Sequence, residues 1–442
     1  MKNLIKKLIL FKLDFLARMY LWRFKPEIIA ITGNVGKTST KEAVSVVLSK
    51  VKKVRSGKGN LNNEFGVPLT IIGDWADDYY DAGNSFLFWC RVLFVSFFKL
   101  FFDKKYPEVL VLEFGADKPG DIGRLVKKYK PKIGIVTAVG EIPVHVEYFS
   151  DTDNVSREKS KLISGLKSVD YAILNHDDPS VYAMKDKTKA KVITYGFAEG
   201  ADVKLSNFDF RLDDSGKPSG IGFKIHYGDN VSFVPVALYG MLGKSQALAA
   251  GAAAAVGIIY GMNLIEISQA LADYKGPKGR LRILSGIKNS IIIDDTYNAA
   301  PSSTHLALDT LKDLPLQEVQ GKPARRVAVL GDMLELGKYM VEAHESIGNL
   351  AGNIIDLLIT VGLRGKFIAH AAENQMPKEN IFSFPTSDLA KGKVQELIKE
   401  GDVVLVKGSQ GVRMEKIVEE IMAEPLRKKE LLVRQGKKWL KN

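Results

Sequence analysis

Nine consecutive residues declare the clearest chemistry in this sequence: Thr32-Gly33-Asn34-Val35-Gly36-Lys37-Thr38-Ser39-Thr40. An apolar run, Ile28-Ile29-Ala30-Ile31, precedes them, and a helical pattern from Lys41 to Leu48 follows. The order strand, glycine loop, helix turns loop N–H groups and a helix N-terminus toward one point, which suits a phosphate. Lys37 would reach the outer phosphates and the Thr38 hydroxyl would hold Mg²⁺. The usual loop of this kind has a glycine five residues before its Gly-Lys pair. Here that position is Ile31, so the loop is the shorter TGxxGKT form. The competing reading is a plain glycine turn between a strand and a helix.

The elements around this loop read as α/β. Strand patterns at Ile28–Thr32, Glu108–Glu113, Lys132–Thr137, Tyr171–Asn175 and Lys191–Tyr195 alternate with helical ones. That alternation predicts a doubly wound, mostly parallel sheet. From Asp202 to Tyr239 the pattern changes to short alternating strands with turns at Asp213–Gly216 and Tyr227–Asn230, a small antiparallel sheet on the same domain. Gly243 to Tyr260 is Ala-rich and helical. Lys275-Gly276-Pro277-Lys278-Gly279-Arg280 is the best domain boundary, because Gly and Pro end a helix and leave a hinge. Beyond it, strands at Ile291–Asp294, Arg326–Leu330, Leu357–Val361 and Val403–Val406 predict a second, Rossmann-like α/β domain. The expected units are a basic apolar helix (1–26), a central domain that carries the phosphate loop (27–278), a C-terminal domain (279–425) and a basic tail (426–442).

Charge is unevenly placed. The net charge is +12 over 442 residues. Residues 1–25 carry seven Lys or Arg against Asp14 alone, a net +6, and residues 424–442 carry a net +5. The body between is nearly neutral, so no basic face for nucleic acid is expected. Two basic ends suit an anionic membrane surface or a polyanion. Residues 84–102 form an apolar insert broken by Arg91 and Lys99, with no uncharged run long enough to span a bilayer. An interfacial helix and a buried helix are both compatible with it. The single cysteine, Cys90, excludes an internal disulfide and fits a reducing, cytoplasmic compartment. Peripheral contact with a membrane's inner face would run through 1–25, 84–102 and the tail.

Further motifs fall in line with the loop. They are Gly59-Asn60-Leu61-Asn62-Asn63-Glu64-Phe65-Gly66-Val67-Pro68, Leu112-Glu113-Phe114-Gly115-Ala116-Asp117, His145-Val146-Glu147, Glu158-Lys159-Ser160-Lys161 and Asn175-His176-Asp177-Asp178. Past the hinge come Asp294-Asp295-Thr296-Tyr297-Asn298-Ala299-Ala300-Pro301, Leu330-Gly331-Asp332-Met333-Leu334-Glu335-Leu336-Gly337, His344 and Lys407-Gly408-Ser409. Taken alone, most of these read as turns and caps. In this order and number the set resembles the Mur ligases over roughly residues 27–425.

The resemblance implies an ATP- and Mg²⁺-dependent amide ligase of peptidoglycan assembly. Such an enzyme phosphorylates a muramyl-peptide carboxylate and lets an amine, here a D-Ala-D-Ala-like dipeptide, attack the acyl phosphate. It implies that Gly33, Asn34, Val35, Gly36, Lys37, Thr38 and Ser39 cradle the nucleotide, with Asn175, Arg280 and Asp295 also around it. Thr38 and Glu113 would hold one Mg²⁺ and His145 a second. Lys159 would be carbamylated and act as an anion toward the metal. Lys37, Lys159, His145 and Arg280 would be the catalytic set. Asn62, Asn63, Tyr297, Asn298 and Lys407 would meet the substrates.

Three departures qualify this. Only residues 1–26 precede the loop strand, so the family's usual UDP-binding domain is not expected, and the acceptor's carrier is left open. The 84–102 insert is very apolar, where the family usually has a shorter connection. Leu242-Gly243 stands where the family has a His-Asn pair, and Gln246 replaces a further Asn. Folylpolyglutamate, poly-γ-glutamate or cyanophycin-type ligation is the nearest alternative. A membrane-associated nucleotide-binding scaffold is the alternative of another class.

Overall fold

A computed structural model describes residues 2–59, 61–82, 85–116, 118–140, 152–228, 232–319, 321–436 and 439. The chain opens with α1 (Lys2–Phe24) and β1 (Glu27–Thr32), followed by α2 (Lys37–Leu48), β2 (Val54–Ser56), α3 (Gly66–Ile72), α4 (Ala76–Ala82) and α5 (Phe86–Phe102). Then come β3 (Val109–Glu113), α6 (Asp121–Tyr129), β4 (Ile133–Val136), α7 (Thr152–Ser164), β5 (Tyr171–Asn175), α8 (Pro179–Tyr182) and β6 (Lys191–Gly196). Three long strands, β7 (Val203–Leu212), β8 (Pro218–Tyr227) and β9 (Phe233–Tyr239), lead to α9 (Lys244–Ile259) and α10 (Leu264–Leu271).

These strands make one nine-stranded sheet in the order β2-β3-β1-β4-β5-β6-β7-β8-β9. The first part is parallel and β7-β8-β9 extend it as an antiparallel meander. Side chains alternate across the sheet. Ile29 and Ile31 of β1 face Ala43, Val44 and Val47 of α2 and the Ala-rich α9. Ile28 and Ala30 face Leu13, Leu16 and Tyr20 of α1, with α3, α5 and α6 on the same side. Burial on both faces explains the continuous apolar runs of the parallel strands.

The N-terminal helix is therefore part of the core. Tyr20 is almost wholly buried, and its hydroxyl donates to the Ser96 carbonyl on α5 at 2.7 Å. Phe24 stacks on Tyr106 with ring centroids 4.3 Å apart. No helix among the described residues is long and apolar enough to cross a membrane.

The second sheet begins after the hinge with β10 (Arg282–Ser285), β11 (Ile291–Asp295) and α11 (Pro301–Asp313). A two-stranded hairpin, β12 (Glu318–Val319) and β13 (Lys322–Pro323), precedes β14 (Arg326–Gly331) and α12 (Met340–Gly352). The chain continues through β15 (Leu357–Val361), α13 (Gly365–Ala372), β16 (Ile381–Phe384), α14 (Ser387–Leu397), β17 (Val403–Lys407) and α15 (Glu415–Ile421). The order is β10-β11-β17-β14-β15-β16, parallel except for β10.

Most predicted strands match within a residue at either end. β2, β10, β16 and the hairpin carry no sequence prediction, because two to four residues are too few to show a period. In both sheets the strand order reverses near the centre, beside β1 and beside β17. Clefts at the carboxyl ends of such strands are where open α/β sheets bind ligands.

Candidate active site

The loop after β1 is shaped by two glycines. Gly33 has φ +144°, and a Cβ there would stand 2.0 Å from the Thr137 Oγ1 beyond β4. Gly36 has φ +87° and caps α2 in the left-handed region that side chains disfavour. The Thr137 hydroxyl donates to the Val35 carbonyl at 2.6 Å, and the Asn34 N–H donates to Ala138 O at 2.6 Å. The Asn34 amide also reaches Val139 O at 2.6 Å. Asp178 secures that neighbouring loop by accepting from Val139 N and Gly140 N. Lys37 Nζ lies back against its own loop, donating to Gly33 O at 2.8 Å and Asn34 O at 3.1 Å.

Glu113, at the end of β3, is the focus of the site. It accepts from Thr38 Oγ1 at 3.1 Å and from Asn62 Nδ2 at 3.0 Å. Burial by itself would raise its carboxyl. Lys41, Lys37 and these two hydrogen bonds outweigh burial and hold it below the ordinary carboxylate value, so it stays ionised. Lys41, one turn along α2, is buried and ties down the next loop through Gly57 O and Gly59 O.

These groups open into a cavity of about 490 Å³ between the two sheets. Gly33, Asn34, Val35, Gly36, Lys37, Thr38, Asn62, Glu113 and Lys159 line it from one side. Arg280, Tyr297, Asn298, Ser303, Leu334, Glu335 and Ser409 line it from the other, with Trp439. Lys159 is almost fully buried on α7. Its neighbour Glu158 caps the start of α6, accepting from Gly120 N at 2.8 Å and Ile122 N at 2.9 Å, which fixes α7 against the sheet.

The hinge carries Arg280 into this cleft, with its guanidinium 4.2 Å from the Tyr297 ring centroid. Burial pushes the Tyr297 phenol up to about 12, so it stays neutral. Asp295 at the end of β11 accepts from Lys407 Nζ at 2.6 Å and from Leu281 N at 3.3 Å. Lys407 also donates to Asn298 O at 2.9 Å. Burial lowers the Lys407 ammonium against the pull of Asp295. Gln246 donates to Arg280 O at 2.9 Å, so the residue that departs from the family pattern ties α9 to the hinge.

Some expected residues lie elsewhere. Asn175 does not line the cleft; it is buried at the end of β5, where its Oδ1 accepts from Asp177 N in a turn. Asn63 is an exposed cap, accepting from Phe65 N and Gly66 N at the start of α3. Lys407, Asp295 and Ser39 line a small adjoining pocket beneath Arg280, together with Gln246. His145 lies outside the described residues.

The sequence reading passed over Lys41, Arg434 and Trp439. Lys41 is visible as a second lysine one helical turn after Lys37. Arg434 and Trp439 were hidden in a segment read only as charge. Arg434 donates to Thr296 O at 3.0 Å and to Glu415 Oε2 at 2.8 Å, and it also reaches Tyr297 O.

The donor set can be tested against Mg²⁺. No cluster of three His, Cys, Asp or Glu suited to a metal occurs among the described residues. Mg²⁺ needs only one or two protein oxygens when phosphates complete its shell. Glu113 with Thr38, two hard oxygens in contact beside a phosphate loop, fits that requirement.

A three-layer α/β unit with a phosphate loop, closed over by a second unit across a cleft, defines a nucleotide-dependent ligase architecture. Residues 95–256 match the Mur ligase middle domain, and residues 279–410 match the Mur ligase glutamate ligase domain. The UDP-N-acetylmuramoyl-tripeptide–D-alanyl-D-alanine ligase of Mycobacterium leprae is 31% identical over 407 residues, covering 87% of this chain and 71% of its own. The ligase of the same name from Bacillus subtilis is 28% identical over 415 residues, covering 94% and 80%. Among solved structures, the MurF ligase of Thermotoga maritima in complex with ADP superposes with a TM-score of 0.75 at 26% identity, covering 95% of this chain and 84% of that one. The chain belongs to the Mur ligase family. It is an ATP-dependent ligase that forms a peptide bond, with ATP and Mg²⁺ as cofactors.

Proposed function

We propose that this ligase joins D-alanyl-D-alanine, or a similar amino component, to the carboxylate of a muramyl peptide. The observation that carries the reading is the convergence of Thr38, Glu113, Asn62, Lys37, Lys159 and Arg280 on one cleft between two α/β units. Relatives named for this reaction, matching almost the whole chain, support it. ATP supplies the phosphoryl group that activates the carboxylate, and Mg²⁺ screens the charge gathered there.

In this reading Lys37 leaves its loop carbonyls to meet the outer phosphates, while the N-terminus of α2 faces the same charge. Glu113 and Thr38 hold the metal, and Asn62 keeps the carboxylate oriented. Carbamylation would make Lys159 anionic at the cleft wall. Arg280, held flat by Tyr297, brings positive charge from the closing side. His145 would complete a second metal position. Residues 27–278 act as the ATP-binding unit and 279–425 as the closing unit. The work is done at the inner face of a membrane, contacted through 1–25, 84–102 and the basic tail.

The deciding experiment is ADP release from the purified chain, comparing UDP-muramoyl tripeptide plus D-Ala-D-Ala with glutamate-type substrate pairs. Release that requires D-Ala-D-Ala and disappears in Lys37→Ala and Lys159→Ala is the expected result. Turnover with the glutamate pairs alone would move the chain to the folylpolyglutamate-like branch. No turnover with any pair would favour a scaffold.

A further inference from the structure

α1 and α5 are apolar on two sides. Leu13, Leu16, Ala17 and Tyr20 of α1, and Phe88, Trp89, Val92 and Leu100 of α5, are buried in the core. The opposite faces are also apolar and stand in solvent. Phe11 is 70% exposed, Trp22 79%, Leu87 79%, Phe94 66% and Phe102 76%. Eight of the nine largely exposed phenylalanines among the described residues belong to these two helices. A helix apolar all round belongs in a core or in lipid.

The helices lie side by side in the same direction, with Tyr20 bonded to Ser96 and Arg23 to Phe101. Between them runs a groove of about 600 Å³ lined by Phe11, Phe15, Met19, Leu93, Phe94 and Phe98. Exposed cations lie on the same two helices or just past them, among them Lys7, Lys12, Arg18, Arg23, Lys99 and Lys104, and Lys12 lines the groove itself. Neither helix is long and apolar enough to cross a membrane.

We propose that this α1–α5 face lies flat on a phospholipid bilayer with anionic headgroups. The phenylalanines enter the acyl boundary and the rim cations meet phosphate. Charge complementarity selects this occupant, because a second copy would bring the same cations against them. The surface is narrower than the membrane contact proposed above, on which it rests in part. In the described part of the tail, Arg427 pairs with Glu424 and Glu430, Lys428 with Glu419, and Arg434 with Glu415, so these cations are engaged within the fold. The platform also adjoins the cleft. Lys6 lies 5.2 Å from the Phe65 ring centroid, three residues past the Asn62 that orients Glu113.

Cys90, the only cysteine, is exposed in the groove and gives a direct probe. The full chain, labelled there with an environment-sensitive fluorophore, is mixed with phosphatidylcholine vesicles with or without phosphatidylglycerol. Unlabelled chain is floated with the same vesicles. The expected result is flotation and a blue shift with the anionic vesicles, weakened by salt. Binding should fall by about tenfold or more in a Phe94→Ser/Phe98→Ser variant. ADP release from dissolved substrates should be unchanged in that variant, which shows that it folds. No flotation at low salt would overturn the proposal, as would equal flotation of the variant. A blue shift without lipid, together with a dimer in light scattering, would assign the face to a second copy. Loss of ligase turnover with vesicle binding intact would defeat the proposed reaction and leave this surface standing.

Discussion

Lys159 concentrates the residue-scale question, because a buried cation beside the Glu113 site and a carbamate there are opposite charges. If the amine is carbamylated, carbon-13 bicarbonate should give a carbamate signal in the wild type and none in Lys159→Ala. The same variant should lose about 10²–10³-fold in turnover. Asp294 makes a second residue-scale prediction. Burial pushes its carboxyl up to about 6 from 3.8, despite hydrogen bonds from Thr296. Between those values the folded chain holds a proton that the unfolded chain has released, so this group's contribution falls as pH rises through that window. Asp294→Asn should therefore stabilise the protein by about 1–3 kcal/mol near pH 7.5 and hardly at all near pH 4, read by urea denaturation. At this scale the sequence was legible wherever a motif fixed the backbone. Gly33, Lys37 and Thr38 come together as the loop's spacing implied, and Glu113 joins them as the family resemblance implied. Asn175 and Asn63 do not join them, because a short amide near a turn is equally well used to cap its own backbone.

The loop after β14 shows what whole elements require. His344 on α12 is fully buried; its Nδ1 pairs with Met340 O at 2.6 Å, and its Nε2 accepts from Met333 N at 3.0 Å. Only the neutral ring with the proton on Nδ1 satisfies both, and burial lowers its pKa accordingly. The imidazole thus holds Leu334 and Glu335 at the cleft wall. Its folded-state pKa lies below the ordinary value, so the stability it gives is present above about pH 6.5 and is lost as pH falls through the lowered value. His344→Ala should cost about 1–3 kcal/mol in thermal or urea unfolding and flatten that acid limb. Parallel strands were readable because burial on both faces leaves unbroken apolar runs. α1 was harder to place. Its residues at 13, 16, 17 and 20 face the core while 11, 15 and 22 face outward, and a helix greasy on both sides gives little periodic contrast.

Across the whole molecule, the two sheets meet at a hinge that was legible from its Gly and Pro. Gly279 has φ +65°, and a Cβ there would come within 2.9 Å of Tyr297 N. Gly279→Ala should leave the fold intact by circular dichroism yet lower turnover by about 10–100-fold, since a small displacement of Arg280 spoils its alignment. What the sequence could not convey is the contact that the tail makes back to the first unit. Lys278 donates to Lys429 O at the hinge, and the chain then runs on to Gly436, where a Cβ would stand 3.2 Å from Asp81 Oδ1 of α4, beside a cavity of about 560 Å³. Lys217 with Asn289 and Gln317 with the Ser215 carbonyl tie the same two units on another side, so the tail is one strap among several. A cleft that opens must stretch or break some of these ties. A disulfide between cysteines placed at 81 and 436 would lock the tail strap, and turnover that falls with it and returns on reduction would show that the strap moves during the catalytic cycle.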